Sequence, residues 1–584
     1  LSSAAMIFSL IAAFVFVPWL AARVKPRMDQ LEKAAESEHR QATIIANVYG
    51  RFINPIVNSR PLGWITLGLI ILSMLAAVAM FPAKMVAFKM LPYDNKSELQ
   101  VVIDMPEGTD LFVSANLARR LGDELQKIPE VSAFQTYVGT ASPFNFNGLV
   151  RHYFMRQQAW QGDIAVQLRD KKDRKRSSHD VAMEIRDVLT PIARNAKARL
   201  TIAEAPPGPP VLAPVVVELY GPTPEIRREV ARHIMSVMQK TPDMADVNTY
   251  MESPHERIEF EIDRLRAAMF GVAVEDINRE LKMATGGFEV GALQSKRNLE
   301  QAVIVLQVPL ATRVNLGNLL MLPVRTAAGK LVPLSELGRF APHKVDEPIY
   351  HKDLKPLEYV TGDVIGAMGA PLYGMLAVDS TLKDYVTPDK RAIGGTYFGK
   401  PSETNVSGFK WDGEWEVTYV TFRDMGLAFM AALVLIYVLV VAEFRSFMLP
   451  LVVMAPIPLT LIGIIPGHWM LGADFTATSM IGFIALAGII VRNSILLVEF
   501  AKAQVAEGMA VKDAITLAAR VRLRPIIITA LALVIGSMVL LSDPIFQGMA
   551  VSLLFGSLVA TFLTLVVIPL GCISAAKYFD PPRE

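Results

Sequence analysis

Arg492 lies inside the apolar stretch ATSMIGFIALAGIIVRNSILLV, residues 477–498. A guanidinium stays protonated at any workable pH and cannot be left unpaired in hydrocarbon. It sits about nine residues, roughly 13 Å of helix rise, from the cytoplasmic end of its span. Its stem can snorkel only part of that way. No other apolar run carries an Asp or Glu in its interior, so the counter-charge must come from elsewhere. Intramembrane ionisable residues mark ion or proton pathways or their partners; an Arg that reaches the headgroups is the alternative reading.

Motifs for soluble chemistry are poor. GGTYFGKP (394–401) approaches a phosphate loop but has Pro401 where the metal-binding Ser or Thr belongs. The eight histidines are scattered, with no HExxH and no close pair, which argues against a zinc enzyme. No cofactor is implied. Twenty-seven methionines raise soft-metal transport, since thioethers select Cu(I), although most sit at core-like helix spacings. One cysteine, Cys572, excludes a disulfide framework and a thiolate cluster. With no ATPase motif, an energised function must draw on an ion gradient.

The elements that hold Arg492 are long apolar runs. The chain is 52% hydrophobic over 584 residues, and the excess is concentrated rather than spread. Its net charge of +2 is too small to argue for nucleic acid. Seven segments can span a bilayer: 4–22, 62–82, 425–442, 447–467, 477–498, 525–542 and 549–571. The run that opens at Leu1 is too long and too poorly flanked for a signal peptide. It reads as a transmembrane helix whose upstream sequence has been cut away, so a fragment is expected. Lys25, Arg27, Lys33, Arg40, Arg51, Arg60, Arg445, Lys502, Lys512, Arg520, Arg522 and Arg524 fall in the segments that the positive-inside rule puts in the cytoplasm. Alternation then exports the block at about 83–424, to a bacterial periplasm. Residues 27–57 form either an amphipathic surface helix or a plain linker.

The exported block alternates strands and helices. LQVVIDM (99–105), a helix with Leu117, Leu121 and Leu125, and VSAFQTYV make one unit. IAVQL (164–168), a helix with Val181, Ile185, Val188 and Ile192, and LTIAE make another. VVVELY (215–220) precedes a helix with Thr223 as N-cap and Pro224 at its first position, and IEFEI (258–262) is expected as its return strand. This is the split βαβ pattern of ferredoxin-like modules. PPGPPVLAP (206–214) should be a stiff connector. Residues 272–345 read as an inserted subdomain.

AEFRSFMLPLVVMAPIPLTLIG (442–463), GFIALAGIIVRNSILLVEFAK (482–502), RVRLRPIIITALA (520–532) and GMAVSLLFGSLVATFLTLVVIPL (548–570) resemble the last helices of RND permeases of the acriflavine-resistance, hydrophobe/amphiphile efflux type. The resemblance covers the whole chain and implies its division. Residues 1–24 would be family segment six, 25–60 a cytoplasmic linker or amphipathic helix, and 61–83 segment seven. A first porter module would cover 84–213, and a second 214–271 and 346–424, interrupted by a docking-type subdomain at 272–345. Segments eight to twelve and a cytoplasmic tail would fill 425–584. The implied whole is an α-helical bundle under an α+β periplasmic domain in the bacterial inner membrane. It would be a homotrimeric, proton-driven exporter and not an enzyme, working with a periplasmic adaptor and an outer-membrane channel.

The family relay carries over residue by residue. Its segment-ten lysine, in a K-N-x-I-L motif, matches Arg492, followed by Asn493. Its segment-eleven threonine matches Thr529, and Arg522 of the R-L-R-P motif is a further member. The carboxylates that would pair with Arg492 belong to segment four, in an N-terminal half outside this chain. An arginine anchors a carboxylate but releases no proton, which leaves titration to those carboxylates. The small-molecule site implied by the family falls on SPFNFNGLVRHYFM (142–155), with Phe144, Phe146, Tyr153 and Phe154. Such rings bind apolar ligands without strict geometry, though they could equally pack in a module core. A Cu/Ag exporter and a non-transporting receptor or scaffold of the same fold are the alternative functions.

Overall fold

The computed structural model describes residues 2–24, 49–205, 208, 210–294, 301–366 and 369–579. Most of the linker at 25–60 therefore lies outside the described residues. Its end, residues 49–58, is helical and packs against the bundle through buried Ile53, with the Tyr49 hydroxyl donating to the carbonyl of Leu565 at 2.8 Å.

Among the described residues six helices are long and apolar enough to cross a membrane: Arg60–Ala79, Glu414–Phe444, Leu449–Leu471, Ala477–Ala506, Val511–Ser542 and Pro544–Ser574. The seventh expected span is helical from Ser2 to Val24 but passes through a π-helical turn at Ala12–Phe16, and only Ile7–Arg23 counts as a shorter apolar helix. Several helices outrun their apolar runs. Val511–Ser542 begins fourteen residues before the expected 525 (525 minus 511), because VKDAITLAARVRLR is a polar but strong helix former.

Small residues let the central helices approach closely, as they must where no hydrophobic force separates helix from lipid. A Cβ on Gly482 would lie 2.8 Å from the Cβ of Ser552 and 2.9 Å from the carbonyl oxygen of Met549. The helix Ala477–Ala506 thus buries one face, including Leu486, Ile490, Leu497 and Val498, against Pro544–Ser574. The helices Glu414–Phe444 and Val511–Met538 bury few residues and leave Leu427, Leu435, Leu439, Ile528 and Ile535 exposed.

Between Arg60–Ala79 and Glu414–Phe444 rises a sheet-rich block. β1 (Glu98–Asp104), β2 (Val131–Val138), β3 (Gln161–Leu168) and β4 (Arg199–Glu204) form one antiparallel sheet in the order β2-β3-β1-β4. Two capped helices cover it. Asp110 accepts from Phe112 N–H at the start of Leu111–Leu125, and Ser177 with Asp180 forms a capping box before Ser178–Asn195. The core between holds Leu117, Leu121 and Leu125 against Val101, Ile164, Val181 and Ile185, the faces that helical periodicity selects.

A second sheet starts with β5 (Val215–Tyr220), the Thr223-capped helix Pro224–Lys240 and β6 (Met244–Thr249). The chain then leaves it. β7 (Glu256–Ile262) pairs not with this sheet but, after the hairpins β8 (Phe288–Leu293)–β9 (Ala302–Leu306) and β10 (Pro323–Arg325)–β11 (Leu331–Pro333), with β12 (Gly338–Lys344). That corrects the expected return strand at 258–262. Phe260 and Ile262 pack beside Ala267, Ile277, Val324 and Leu337 in a separate core. The return strand is the polar β6. The chain comes back through β13 (Tyr350–Lys352), β14 (Lys355–Val364), β15 (Gly395–Thr396) and β16 (Gly408–Gly413). The sheet runs β13-β14-β5-β16-β15, with β6 also on β14. β16 feeds straight into the helix Glu414–Phe444.

Candidate functional site

Ile490, Val491, Ser494, Leu497 and Val498 turn inward on the helix Ala477–Ala506, and Arg492 turns outward, exposed. Among the described residues no carboxylate pairs with it and no side chain hydrogen-bonds to it. Glu499 stands on the same helix seven residues on, about 10 Å along the axis, too far for direct contact. Asn493 is partly buried and borders a small crevice with Ala530, Leu533, Ser557, Thr561 and Thr564. Thr529 is partly buried, and its hydroxyl donates to the carbonyl of Pro525 at 2.8 Å, an ordinary bond back to the preceding turn. The Arg522 guanidinium lies 5.8 Å from the ring centre of Phe500, and its Nε has no partner among the described residues. The four relay candidates thus share two packed helices, but no hydrogen bond joins them to one another. Arg492 is thus a fixed cation on an outward helix face, and among the described residues no anion pairs with it.

A second concave site opens between the two sheets. A cavity of about 330 Å³ is walled by Trp160, Tyr153, Tyr250, Tyr350, Met105 and Arg151, among others. Arg156 organises one side. It pairs with Asp104 at 2.7 Å and Asp163 at 3.2 Å and donates to the carbonyl of Ile103 at 2.7 Å. Burial opposes ionisation of Asp104, yet Arg156 and the amide of Asn248 hold its carboxyl below the usual range. Asp363, on β14, is pushed up to about 6 by burial and by the neighbouring Asp246 carboxylate, against the pull of Arg186 and Arg151. Burial also raises the phenol of Tyr153. The wall thus mixes aromatic and thioether side chains with charged ones, Glu107, Arg151, Arg199, Glu252 and Asp363 among them.

The four expected aromatic residues do not gather in one pocket. Tyr153 alone reaches the cavity between the sheets. Phe144 is 76% exposed and lines a separate groove against the first sheet with Gln100, Gln135 and Asn147. Phe154, partly buried, stacks on it at 5.7 Å between ring centres. Phe146 is exposed, with Lys96 Nζ 5.9 Å from its ring centre. The sequence reading missed Arg186, Asp246, Asn248 and Asp363. Arg186 carried a signal: it sits beside Ile185 on the apolar face of its helix, where a charge needs a buried partner.

Comparison with known proteins adds the lineage. The model of the AcrB/AcrD/AcrF family matches residues 2–572. The swarming motility protein SwrC of Bacillus subtilis (strain 168) is 22% identical, over 98% of this chain and 51% of its own length. The multidrug resistance protein MdtC of Serratia proteamaculans (strain 568) is 25% identical over 60% of this chain and 33% of its own. The cobalt-zinc-cadmium resistance protein CzcA of Cupriavidus metallidurans is 25% identical over 62% of this chain and 33% of its own. The chain thus spans about half the length of SwrC and a third of the other two. A crystal structure of a heavy metal efflux pump shares the fold, with a TM-score of 0.71 at 19% identity over 92% of this chain and 53% of that one. With a family model covering nearly every residue and a bundle and sheet-rich block arranged as in that structure, the chain belongs to the AcrB/AcrD/AcrF family.

Proposed function

We propose that the chain is part of a proton-driven exporter of amphiphilic small molecules in a bacterial inner membrane, working by substrate/proton antiport. The observation that carries this is Arg492, a permanent cation on an outward helix face with no carboxylate partner among the described residues. Its partners are a pair of carboxylates on a helix of the other half of the permease. With those carboxylates ionised the pair is satisfied; protonation weakens it and lets the helices shift. The modules, of the ferredoxin-like kind, face the periplasm, and their cleft takes the cargo. Seven spans, a homotrimer, a periplasmic adaptor and an outer-membrane channel complete the assembly, with lipid against the exposed apolar helices.

The test is energised efflux by the intact permease. Arg492→Ala should abolish it at near-normal expression, with some loss of stability, about 3–5 kcal/mol at most, for a broken buried pair. Arg492→Lys, which restores the relay residue of the resembled family, should keep partial activity. Wild-type efflux with the Ala variant would refute the assignment.

A second reading, soft-metal export, has one specific support. Met105, Met155 and Met251 stand on the wall of the same cavity, and thioethers bind Cu(I). Stoichiometric Cu(I) binding that Met155→Leu removes would favour it over the amphiphile.

A further inference from the structure

β6 does not run straight. It carries two residues, Asp246 and Val247, opposite the single Gly362 of β14, and Asp246 takes a left-handed backbone, φ +53°. A bulge of this kind re-aims a side chain and recurs beside functional sites. Asp and Asn are among the side chains that tolerate the left-handed region best. Here the bulge aims Asp246 out of its own sheet and into the first one.

The Asp246 carboxylate meets Arg186, from the helix Ser178–Asn195, in a forked pair, with Nη2 at 2.7 Å and Nε at 3.1 Å. It also accepts the Ile202 N–H of β4 at 3.0 Å. Both side chains are almost wholly buried. Two residues along, the Asn248 amide donates to Asp104 of β1 at 2.8 Å, and Asp104 is itself held by Arg156. One short strand of the second sheet is therefore tied twice to the first, and Asp246 and Asn248 both border the cavity between them.

We infer that Asp246 and Arg186 are positioning residues, a bulge-mounted clamp at the floor of the cleft that fixes the relative orientation of the two sheets and hence the width of the cavity. A forked Arg–carboxylate pair sets direction as well as distance, so it restrains the angle between the sheets as well as their separation. The effect of the clamp on transport rests on the exporter reading above.

The test uses the intact permease with other accessible cysteines removed; Cys572 of this chain is buried. Spin labels at Gln158→Cys, on the cavity wall, and at His351→Cys, next to the wall residue Tyr350, both exposed positions, report the separation across it. Asp246→Asn keeps the shape and the backbone tolerance but loses the charge. Arg186→Gln leaves the bulge untouched. Both should shift the label distances to longer, broader values, and Arg186→Lys, which cannot form the fork, should fall between. Apparent KM for efflux should rise severalfold with folded yield retained. Unchanged distances in either folded variant would overturn the clamp, and so would loss of folded protein in both, which would make the pair mere core. A permease that transports nothing would sink the exporter reading while the distances still judged the clamp.

Discussion

Replacing Asp363 by Asn should stabilise the protein, and only above mildly acidic pH. The carboxyl sits on β14 between two cavities, where burial and then the Asp246 carboxylate raise its pKa from 3.8 to about 6. The folded state therefore holds the proton to about pH 6, whereas the unfolded chain releases it near 3.8. Below 3.8 both states are protonated and the residue is neutral for stability. Between 3.8 and 6 stability falls as pH rises, and above 6 the full penalty persists. A displacement from 3.8 to about 6 corresponds to at most ~3 kcal/mol. The two bordering cavities leave room for the surroundings to relax around the charge, so about 1–2 kcal/mol is the working figure. Asn keeps the acceptor for the Val364 N–H, now at 2.7 Å from Asp363 Oδ1. Arg151 and Arg186 lose a nearby anion, but their attraction is already counted in the raised value. Thermal unfolding of purified wild type and Asp363→Asn at pH 4 and pH 8 measures this. The variant should melt a few degrees higher at pH 8 and together with wild type at pH 4. A variant less stable by the same amount at both values would show that Asp363 serves as an ionised partner of Arg151, and the reasoning would fail.

Gly482→Ala should cost about 1–3 kcal/mol through forced separation of two packed helices, whereas Gly488→Ala, with no neighbouring atom within 4 Å, should be near neutral; melting of both variants checks the contrast. Phe144→Ala should leave folded yield unchanged because the ring is 76% exposed, and should alter efflux of some amphiphiles only. Leu121→Ala in the fully buried core should cost about 2–5 kcal/mol and depress every substrate alike. Isolated copper experiments have a plain outcome too: titration of the purified permease with Cu(I) should show no stoichiometric site, and tight binding lost in Met155→Leu would reverse the cargo assignment.

Much of the fold can be read from local pattern. Runs of twenty apolar residues have few other uses than a membrane span, and Leu117, Leu121 and Leu125 declare a helix face that the core then occupies. Pairing between distant strands cannot be read so. IEFEI alternates cleanly and is a strand, but its partner β12 lies some eighty residues on. The strand that does close the second sheet, MADVNT, is polar and bulged, with nothing in its composition to announce it. The same limit governs the sites. Arg492 announces itself by standing alone in an apolar run, whereas Asp246 gains its meaning only from a left-handed backbone and an arginine sixty residues away. Phe144, Tyr153 and Phe154 share one segment yet face two different hollows, a division set by the turns between them.

Proton flux in proteoliposomes tests the central claim most directly. The intact permease, reconstituted under a pH gradient with an internal pH dye, should release protons when an amphiphilic substrate is added, and Arg492→Gln should bind that substrate yet release none. Substrate-driven proton release at the wild-type rate in Arg492→Gln would contradict the relay.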